Sequence, residues 1–355
     1  MFKGKKVLFN YKSSYLDSVY VFDNGDFILF GVTDKSTNDT SERKSALYDG
    51  RTFKPKLSLK MTSVCAFSYL ANDKFSICID NSYFNSYFQL CKFNSDRTSY
   101  EEIQKLSSIE GGSAKNVKEM SNGDLCINRV YVGFNNIYIF RKNESNPKYE
   151  PYGNTFLYHL EDLNELMNLN EKEALGYKIN HAVESLTLKV FDISNYKIKR
   201  KNEIKFRDSK LKKRMHISLP IYLINNNKLI TAGVKFLYII GLDNLELETT
   251  ILFEKFINKI LIRPNKNIFL IYESRDEKRF EVKGITNSAR FYYDQFINNI
   301  KIDFGTNDLI ESKEEEITSY CGNNKGLFEI YNYINNGIIT LTDKSEITIY
   351  KDCDD

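Results

Sequence analysis

The stretch Tyr20-Val21-Phe22-Asp23-Asn24-Gly25-Asp26-Phe27-Ile28-Leu29-Phe30 decides how the rest of the chain is read. Two apolar runs flank a polar turn of Asp, Asn and Gly. The same phrase returns around Asn72-Asp73, Asn122-Gly123, Asn170-Glu171, Asn227-Lys228, Lys266-Asn267 and Asn336-Gly337, at spacings of 48, 50, 48, 57, 39 and about 70 residues. A short phrase repeated at a period near 50 marks an array of like units. Asn-Gly and Asn-Asp tolerate positive φ, so each turn is expected to close a tight hairpin.

A second alternating run follows each hairpin after a gap. Examples are Ala46-Leu47-Tyr48-Asp49, Phe88-Gln89-Leu90-Cys91-Lys92, Ile137-Tyr138-Ile139-Phe140-Arg141, Thr187-Leu188-Lys189-Val190-Phe191-Asp192, Phe236-Leu237-Tyr238-Ile239-Ile240 and Glu346-Ile347-Thr348-Ile349-Tyr350-Lys351. Alternation at period two reads as a strand with one buried face. A fourth, more polar strand such as Lys54-Pro55-Lys56-Leu57-Ser58-Leu59 completes the unit. Four antiparallel strands in about 50 residues form the blade of a β-propeller.

The expectation is therefore an all-β chain, a single propeller domain over residues 1–355. Its seven four-stranded blades fall at roughly 17–60, 61–107, 115–153, 156–208, 215–254, 255–300 and 301–355. Eight blades are the alternative, because Lys301-Ile302-Asp303-Phe304 and Asn307-Asp308-Leu309-Ile310 echo the repeat. Seven is preferred, since Asn307 lies only 29 residues before Asn336. Leu160, Leu163, Leu166, Met167 and Leu169 have partly helical spacing, with a short helix as the alternative to a strand pair. The last strand ends at Lys351, leaving the final blade without an outer strand. Residues 1–11 contain Lys5-Lys6-Val7-Leu8-Phe9-Asn10, a strand with no blade of its own. Pairing the two closes the ring and removes an exposed edge.

The segment Ile334-Asn335-Asn336-Gly337-Ile338-Ile339-Thr340-Leu341-Thr342-Asp343-Lys344-Ser345-Glu346-Ile347-Thr348-Ile349-Tyr350 resembles the second half of a WD-repeat, with Tyr350 in the place of the family's Trp. Leu47-Tyr48-Asp49 and Val190-Phe191-Asp192 are similar to the family's closing dipeptide with another aromatic substituted. The Gly-His pair and every signature Trp are absent, so the family's Asp-His-Ser-Trp network cannot form in its usual way. The resemblance is to a degenerate, WD-repeat-like propeller, and it runs over nearly the whole chain.

Composition bounds the function. The chain has 355 residues, is 42% hydrophobic and carries a net charge of +3, enough apolar material for a large core. Met1-Phe2-Lys3-Gly4-Lys5-Lys6 leads into a strand rather than a secretory h-region, and no apolar run reaches membrane-spanning length. A cytoplasmic, reducing location with no transmembrane segment is expected. Cys65, Cys78, Cys91, Cys126, Cys321 and Cys353 form no Cys-x-x-Cys pair, so no zinc site is expected. Cys65, Cys78 and Cys91 recur every 13 residues, within reach of a disulfide on neighbouring strands. Buried thiols are the preferred reading. Frequent Asn, Lys, Ile, Tyr and Phe with no Trp read as an AT-rich codon bias. Lysine clusters therefore carry less weight than usual.

Catalytic and cofactor motifs are absent from the sequence. His159, His181 and His216 form no His-x-x-x-His or Ser/His/Asp phrase, and there is no phosphate-binding glycine loop. Gly111-Gly112-Ser113 reads as a turn. The Ser-x-Asp-x-Gly turn with a following Trp, which marks sialidase-like propellers, has no counterpart. Exposed pairs such as Glu101-Glu102 do not identify a glycosidase. No metal, cofactor or catalytic residue is assigned.

One charge asymmetry stands out. Residues 197–214 contain Lys197, Lys199, Arg200, Lys201, Lys205, Arg207, Lys210, Lys212, Lys213 and Arg214 against Glu203 and Asp208, a net +8 in a chain of +3. A solvated outer edge, charged to deter edge pairing, is the plain reading. The functional reading is a contact with an acidic peptide, RNA or anionic lipid. Phe206-Arg207-Asp208-Ser209 lacks two residues of the Phe-Arg-Arg-Gly motif of phosphoinositide-binding propellers, and one aromatic in the cluster gives little base stacking. An acidic counter-patch runs through Asp308, Glu311, Glu314, Glu315 and Glu316. The function expected first is a protein-interaction scaffold acting through loops on a rigid frame. An anionic-surface binder using residues 197–214 comes second, and a hydrolytic or lyase propeller third.

Overall fold

Strands account for every regular element of the computed structural model, which describes residues 6–12, 18–32, 44–59, 64–80, 86–106, 113–131, 134–142, 148–152, 159–161, 163–180, 184–206, 221–225, 227–233, 235–262, 268–273, 280–282, 285–287, 295–316, 327–332, 337–342 and 346–351. After β1 (Lys6–Lys12) come β2 (Ser18–Val21), β3 (Phe27–Val32), β4 (Lys44–Tyr48) and β5 (Pro55–Leu59), one sheet in that order. The next sheet holds β6 (Val64–Tyr69), β7 (Lys74–Asp80), β8 (Ser86–Phe93) and β9 (Tyr100–Leu106). The third holds β10 (Ser113–Glu119), β11 (Leu125–Tyr131), β12 (Phe134–Lys142) and β13 (Tyr149–Pro151), with β14 (His159–Glu161) also paired to β12. The fourth is β15 (Glu165–Asn168), β16 (Glu173–Asn180), β17 (Ser185–Asp192) and β18 (Lys197–Lys205). The fifth is β19 (Tyr222–Asn225), β20 (Lys228–Gly233), β21 (Phe236–Gly241) and β22 (Glu246–Leu252).

In the sixth sheet, β23 (Phe256–Ile262) and β24 (Ile268–Glu273) are followed by a separate ribbon of β25 (Phe280–Val282) and β26 (Ile285–Asn287). The sheet then resumes with β27 (Gln295–Asp303) and β28 (Asp308–Glu316). The seventh takes β29 (Leu327–Asn332), β30 (Ile338–Thr342) and β31 (Glu346–Lys351), and β1 returns to pair with β31. Among the described residues, seven sheets carry four or more strands, each an antiparallel meander.

The echo of the repeat at 301–310 is thus the hairpin between β27 and β28, inside the sixth sheet. That sheet runs to Glu316, not to 300, because residues 274–294 are inserted between its second and third strands. Leucines 163 and 166 belong to strand-rich chain rather than to a helix. Both point into an apolar cluster with Ala174, Phe191 and Ile139.

The turns follow local chemistry. In two hairpins the amide of the glycine donates to a carbonyl three residues back, Gly25 to Phe22 at 2.9 Å and Gly123 to Met120 at 2.8 Å. Those glycines sit at φ 87° and 83°. This is a type I turn closed by a left-handed residue, the usual three-residue hairpin loop. Asn72 and Asp73, at φ 58° and 57°, make the tighter turn between β6 and β7. Nothing lies within 4 Å of a Cβ built on Gly123, so only its φ resists a side chain. Gly123→Val should cost about 1 kcal/mol or more, read from urea melts. A neutral result would mean that the turn is wrongly placed.

The chain divides into two compact units, residues 1–40, 46–55 and 215–355 in one, and residues 41–45 and 56–214 in the other. In the first, Val19, Phe27, Leu29 and Tyr48 pack on Ile339, Leu341, Ile347 and Ile349. A second cluster joins Ile230, Leu237 and Ile239 to Ile260, Leu270 and Ile300. The β1–β31 register runs from Lys6 opposite Lys351 to Lys12 opposite Glu346. Asn10 Nδ2 donates to Glu346 Oε1 at 2.9 Å and to Thr348 Oγ1 at 3.2 Å. In the second unit, Leu90, Leu106, Leu125 and Ile127 form one cluster. Cys126, Ile137 and Phe191 belong to another.

Candidate interaction surfaces

The aspartates that end the third strands build the following turn. Asp49 Oδ1 accepts the amides of Arg51 at 3.0 Å and Thr52 at 2.8 Å. Asp192 Oδ1 accepts the Ser194 amide at 2.9 Å and its hydroxyl at 2.7 Å. Asp303 Oδ1 accepts the Gly305 amide at 2.8 Å. In each turn the fifth residue is left-handed: Phe53 at φ 56°, Tyr196 at 52° and Asn307 at 64°. Bulky residues resist that conformation. Tertiary contacts hold them there: Phe53 stacks on Phe9 with centroids 5.5 Å apart, and the buried Tyr196 donates its hydroxyl to Asp124 at 2.9 Å. The Asp of the closing dipeptide is therefore a turn cap.

A second set of aspartates lies in or just after the hairpin turns. Asp26 Oδ1 accepts the Gly50 amide at 3.0 Å. Asp73 takes Arg97 at 2.8 Å and the Tyr69 hydroxyl at 2.8 Å. Asp124, only 3% exposed, also takes Asn122 Nδ2 at 2.8 Å and Arg141 at 3.3 Å. The signal for Asp26 and Asp124 was in the sequence as Asn-Gly-Asp at 24–26 and again at 122–124.

These ties shift titrations. Burial opposes ionisation of Asp73, but the bonds from Arg97 and Tyr69 outweigh it and hold its carboxyl below the ordinary 3.8. The Lys199 bond holds Glu173 below 4.5, and the Lys228 bond does the same for Glu248. Each is depressed on folding, so its stabilising effect is complete above the ordinary carboxylate pKa and is lost as pH falls through the lower folded value. Melting temperature should therefore drop as pH falls below about 4. Arg97→Leu should cost about 1 kcal/mol at neutral pH, because the pair is partly screened, and should flatten the acid slope. An unchanged slope would remove Asp73 from the account. Burial pushes the thiols of Cys91 and Cys126 up to about 12. Both are free and buried.

A recess of about 710 Å³ opens in the second unit, where β6, β10 and β15 run into their hairpins. Tyr69, Ala71, Lys118, Ser121, Met167 and Asn168 are among its lining residues. Its walls are cross-braced. Glu119 accepts the Ala71 amide at 2.8 Å and Lys74 Nζ at 2.7 Å, and Lys74 also reaches the Tyr149 hydroxyl at 2.9 Å. Asn168 donates to the Glu119 carbonyl at 3.1 Å and accepts the Ser121 amide at 3.0 Å. Ser121 Oγ donates to the Asn170 carbonyl at 3.0 Å. Three sheets thus fix one concave surface without using its apolar wall.

The basic segment lies elsewhere. Its first half is β18, the last strand of the fourth sheet, and Lys197, Lys199, Lys201 and Lys205 are exposed. Lys199 donates to Glu173 at 2.8 Å, and Arg200 lies 3.7 Å from the same carboxylate. Phe206 is buried. Arg207, Lys210, Lys212, Lys213 and Arg214 lie outside the described residues, as do His181, His216, Cys321 and Cys353. Among the described residues, no group of three His, Cys, Asp or Glu is placed to hold a metal ion, and no helix is long and apolar enough to cross a membrane.

No family model matches the chain, and no curated protein matches it by sequence. Solved structures do match it in shape. The Myceliophteria thermophila Cps50 (Swd1) β-propeller domain aligns with a TM-score of 0.57 at 9% identity, covering 98% of this chain and 99% of that one. BBS1N, solved in complex with ARL6DN, aligns with a TM-score of 0.53 at 7% identity, covering 98% and 96%. With the four-stranded meanders, this likeness shows an all-β chain of the β-propeller fold, its last sheet completed by the N-terminal strand.

Proposed function

We propose that this chain is a non-catalytic protein-interaction platform on a degenerate, WD-repeat-like propeller of seven blades. The braced recess at Ala71, Ser121 and Asn168 carries the reading. It offers mixed polar and apolar walls on a frame whose carboxylates already serve turns and ion pairs, so a partner segment binds without reorganising it. The free, buried thiols fit a cytoplasmic, reducing location. The test compares affinity enrichment from native cells by the wild type and by a recess variant, Ser121→Arg with Met167→Arg. A partner protein enriched by the wild type and lost with the variant is expected. Enrichment of nothing above the tag control, or of the same proteins by both, would overturn the reading.

The exposed lysines of β18 favour a second reading, contact with an anionic partner: an acidic peptide, RNA or anionic lipid. Such contact should weaken steeply as salt rises. Reversing Lys197, Lys201 and Lys205 to Glu should abolish it with little cost in stability, since exposed charges contribute little to folding.

A further inference from the structure

We propose that the acidic edge strand β28 of one copy of this chain docks on the basic edge strand β18 of a second copy, so that the protein self-associates head to tail. This inference rests on the anionic-partner reading of β18, not on the recess. Both strands are nine residues long and both are terminal in their sheets. β18 reads Lys-Ile-Lys-Arg-Lys-Asn-Glu-Ile-Lys, five cations against Glu203, a net +4. β28 reads Asp-Leu-Ile-Glu-Ser-Lys-Glu-Glu-Glu, five acids against Lys313, a net −4.

A charged edge protects a sheet by repelling edges of its own kind. Here the two edges carry opposite signs, and protection becomes attraction. Apolar exposure points to the same strands. Five large hydrophobic side chains are exposed among the described residues, and three of them are Ile198 on β18 and Leu309 and Ile310 on β28, at 52%, 39% and 58%. A strand docked on either edge would cover these apolar side chains while its charges meet their opposites. Glu173 already engages Lys199 and Arg200. The exposed Lys197, Lys201 and Lys205 are therefore the cations we assign to the partner strand. Because the two surfaces differ, each bound pair leaves one β18 and one β28 open, and assemblies grow with concentration rather than stopping at a dimer.

Sedimentation velocity of the full chain at low and high salt tests this with three variants. One reverses β18 (Lys197→Glu, Lys201→Glu, Lys205→Glu). The second reverses β28 (Asp308→Lys, Glu311→Lys, Glu314→Lys). The third, a control on another edge strand, carries Glu101→Lys and Glu102→Lys. The wild type should show concentration-dependent association at low salt and dissociate at high salt. Either β18 or β28 reversal alone should weaken it by about tenfold or more, the equivalent of two or three exposed ion pairs. Mixing those two variants should restore it, because each then supplies the edge the other lacks, and restoration also shows that both are folded. The control should associate like the wild type. A wild type that stays monomeric at low salt, a mixture that fails to associate, or a control that loses association would overturn the inference. The same samples are titrated with phosphatidylserine vesicles and with polyuridylic acid. A monomeric wild type that binds either probe, with loss on β18 reversal, would overturn self-association and leave the anionic-surface reading standing. A monomer that binds neither would overturn self-association and also remove RNA and anionic lipid as partners of β18.

Discussion

Removal of residues 1–12 is expected to leave a protein that aggregates, or that melts with a stability lower by about 5 kcal/mol or more, a loss comparable to the whole stability of many domains. Two effects add. β31 loses its partner along the register from Lys6–Lys351 to Lys12–Glu346, and its open edge becomes a template for other chains. An aromatic nest also loses its centre, since the Phe9 ring lies 5.6 Å from Phe27, 6.0 Å from Tyr48 and 5.5 Å from Phe53. Urea midpoints and sedimentation of the shortened chain read both effects. An unchanged midpoint with a monomeric protein would show that β1 does not complete the last sheet.

Gly50→Ala is expected to be strongly destabilising, at about 3 kcal/mol or more, the upper range of overpacking. A Cβ at position 50 would fall on the backbone carbonyl of Gly25 and within 2.8 Å of the Asp26 amide nitrogen. Neither can swing aside as a side chain can. The close approach is needed because the Gly50 amide donates to Asp26 Oδ1 across the two turns. Gly123→Ala makes the useful contrast. There the space is open, and the cost is that of a positive φ alone, about 1 kcal/mol. If the two alanine variants melt alike, the turn-on-turn contact is wrong.

Features held by local chemistry were legible in the sequence. Asn24-Gly25 and Asn122-Gly123 close hairpins because glycine takes φ > 0 at no steric cost, without help from distant partners. Tyr48-Asp49 and Phe191-Asp192 stood out by their resemblance to the closing dipeptide of a WD-repeat, although the work of their aspartates as turn caps did not show in the sequence. What depends on distant partners was hidden. Glu119 and Asn168 meet across 49 positions, and nothing in either neighbourhood announces the other. The sixth sheet was cut short because residues 274–294 interrupt the period between β24 and β27. The basic segment could be read as charge. That Glu173, 26 positions before Lys199, already draws on two of its cations could not.

The first strand completes the last sheet, and a cross-link tests that pairing most directly. Asn10 and Thr348 are register partners on antiparallel strands, and the Asn10 Nδ2 to Thr348 Oγ1 distance of 3.2 Å shows that their side chains share one face, so cysteines there would meet. In the variant Asn10→Cys with Thr348→Cys, mild oxidation followed by proteolysis and mass spectrometry should yield one intramolecular disulfide-linked peptide joining positions 10 and 348. The oxidised protein should also melt above its reduced form. Oxidation that leaves both thiols free in the folded protein, or that links them only between molecules, would contradict the closure and with it the register of the propeller.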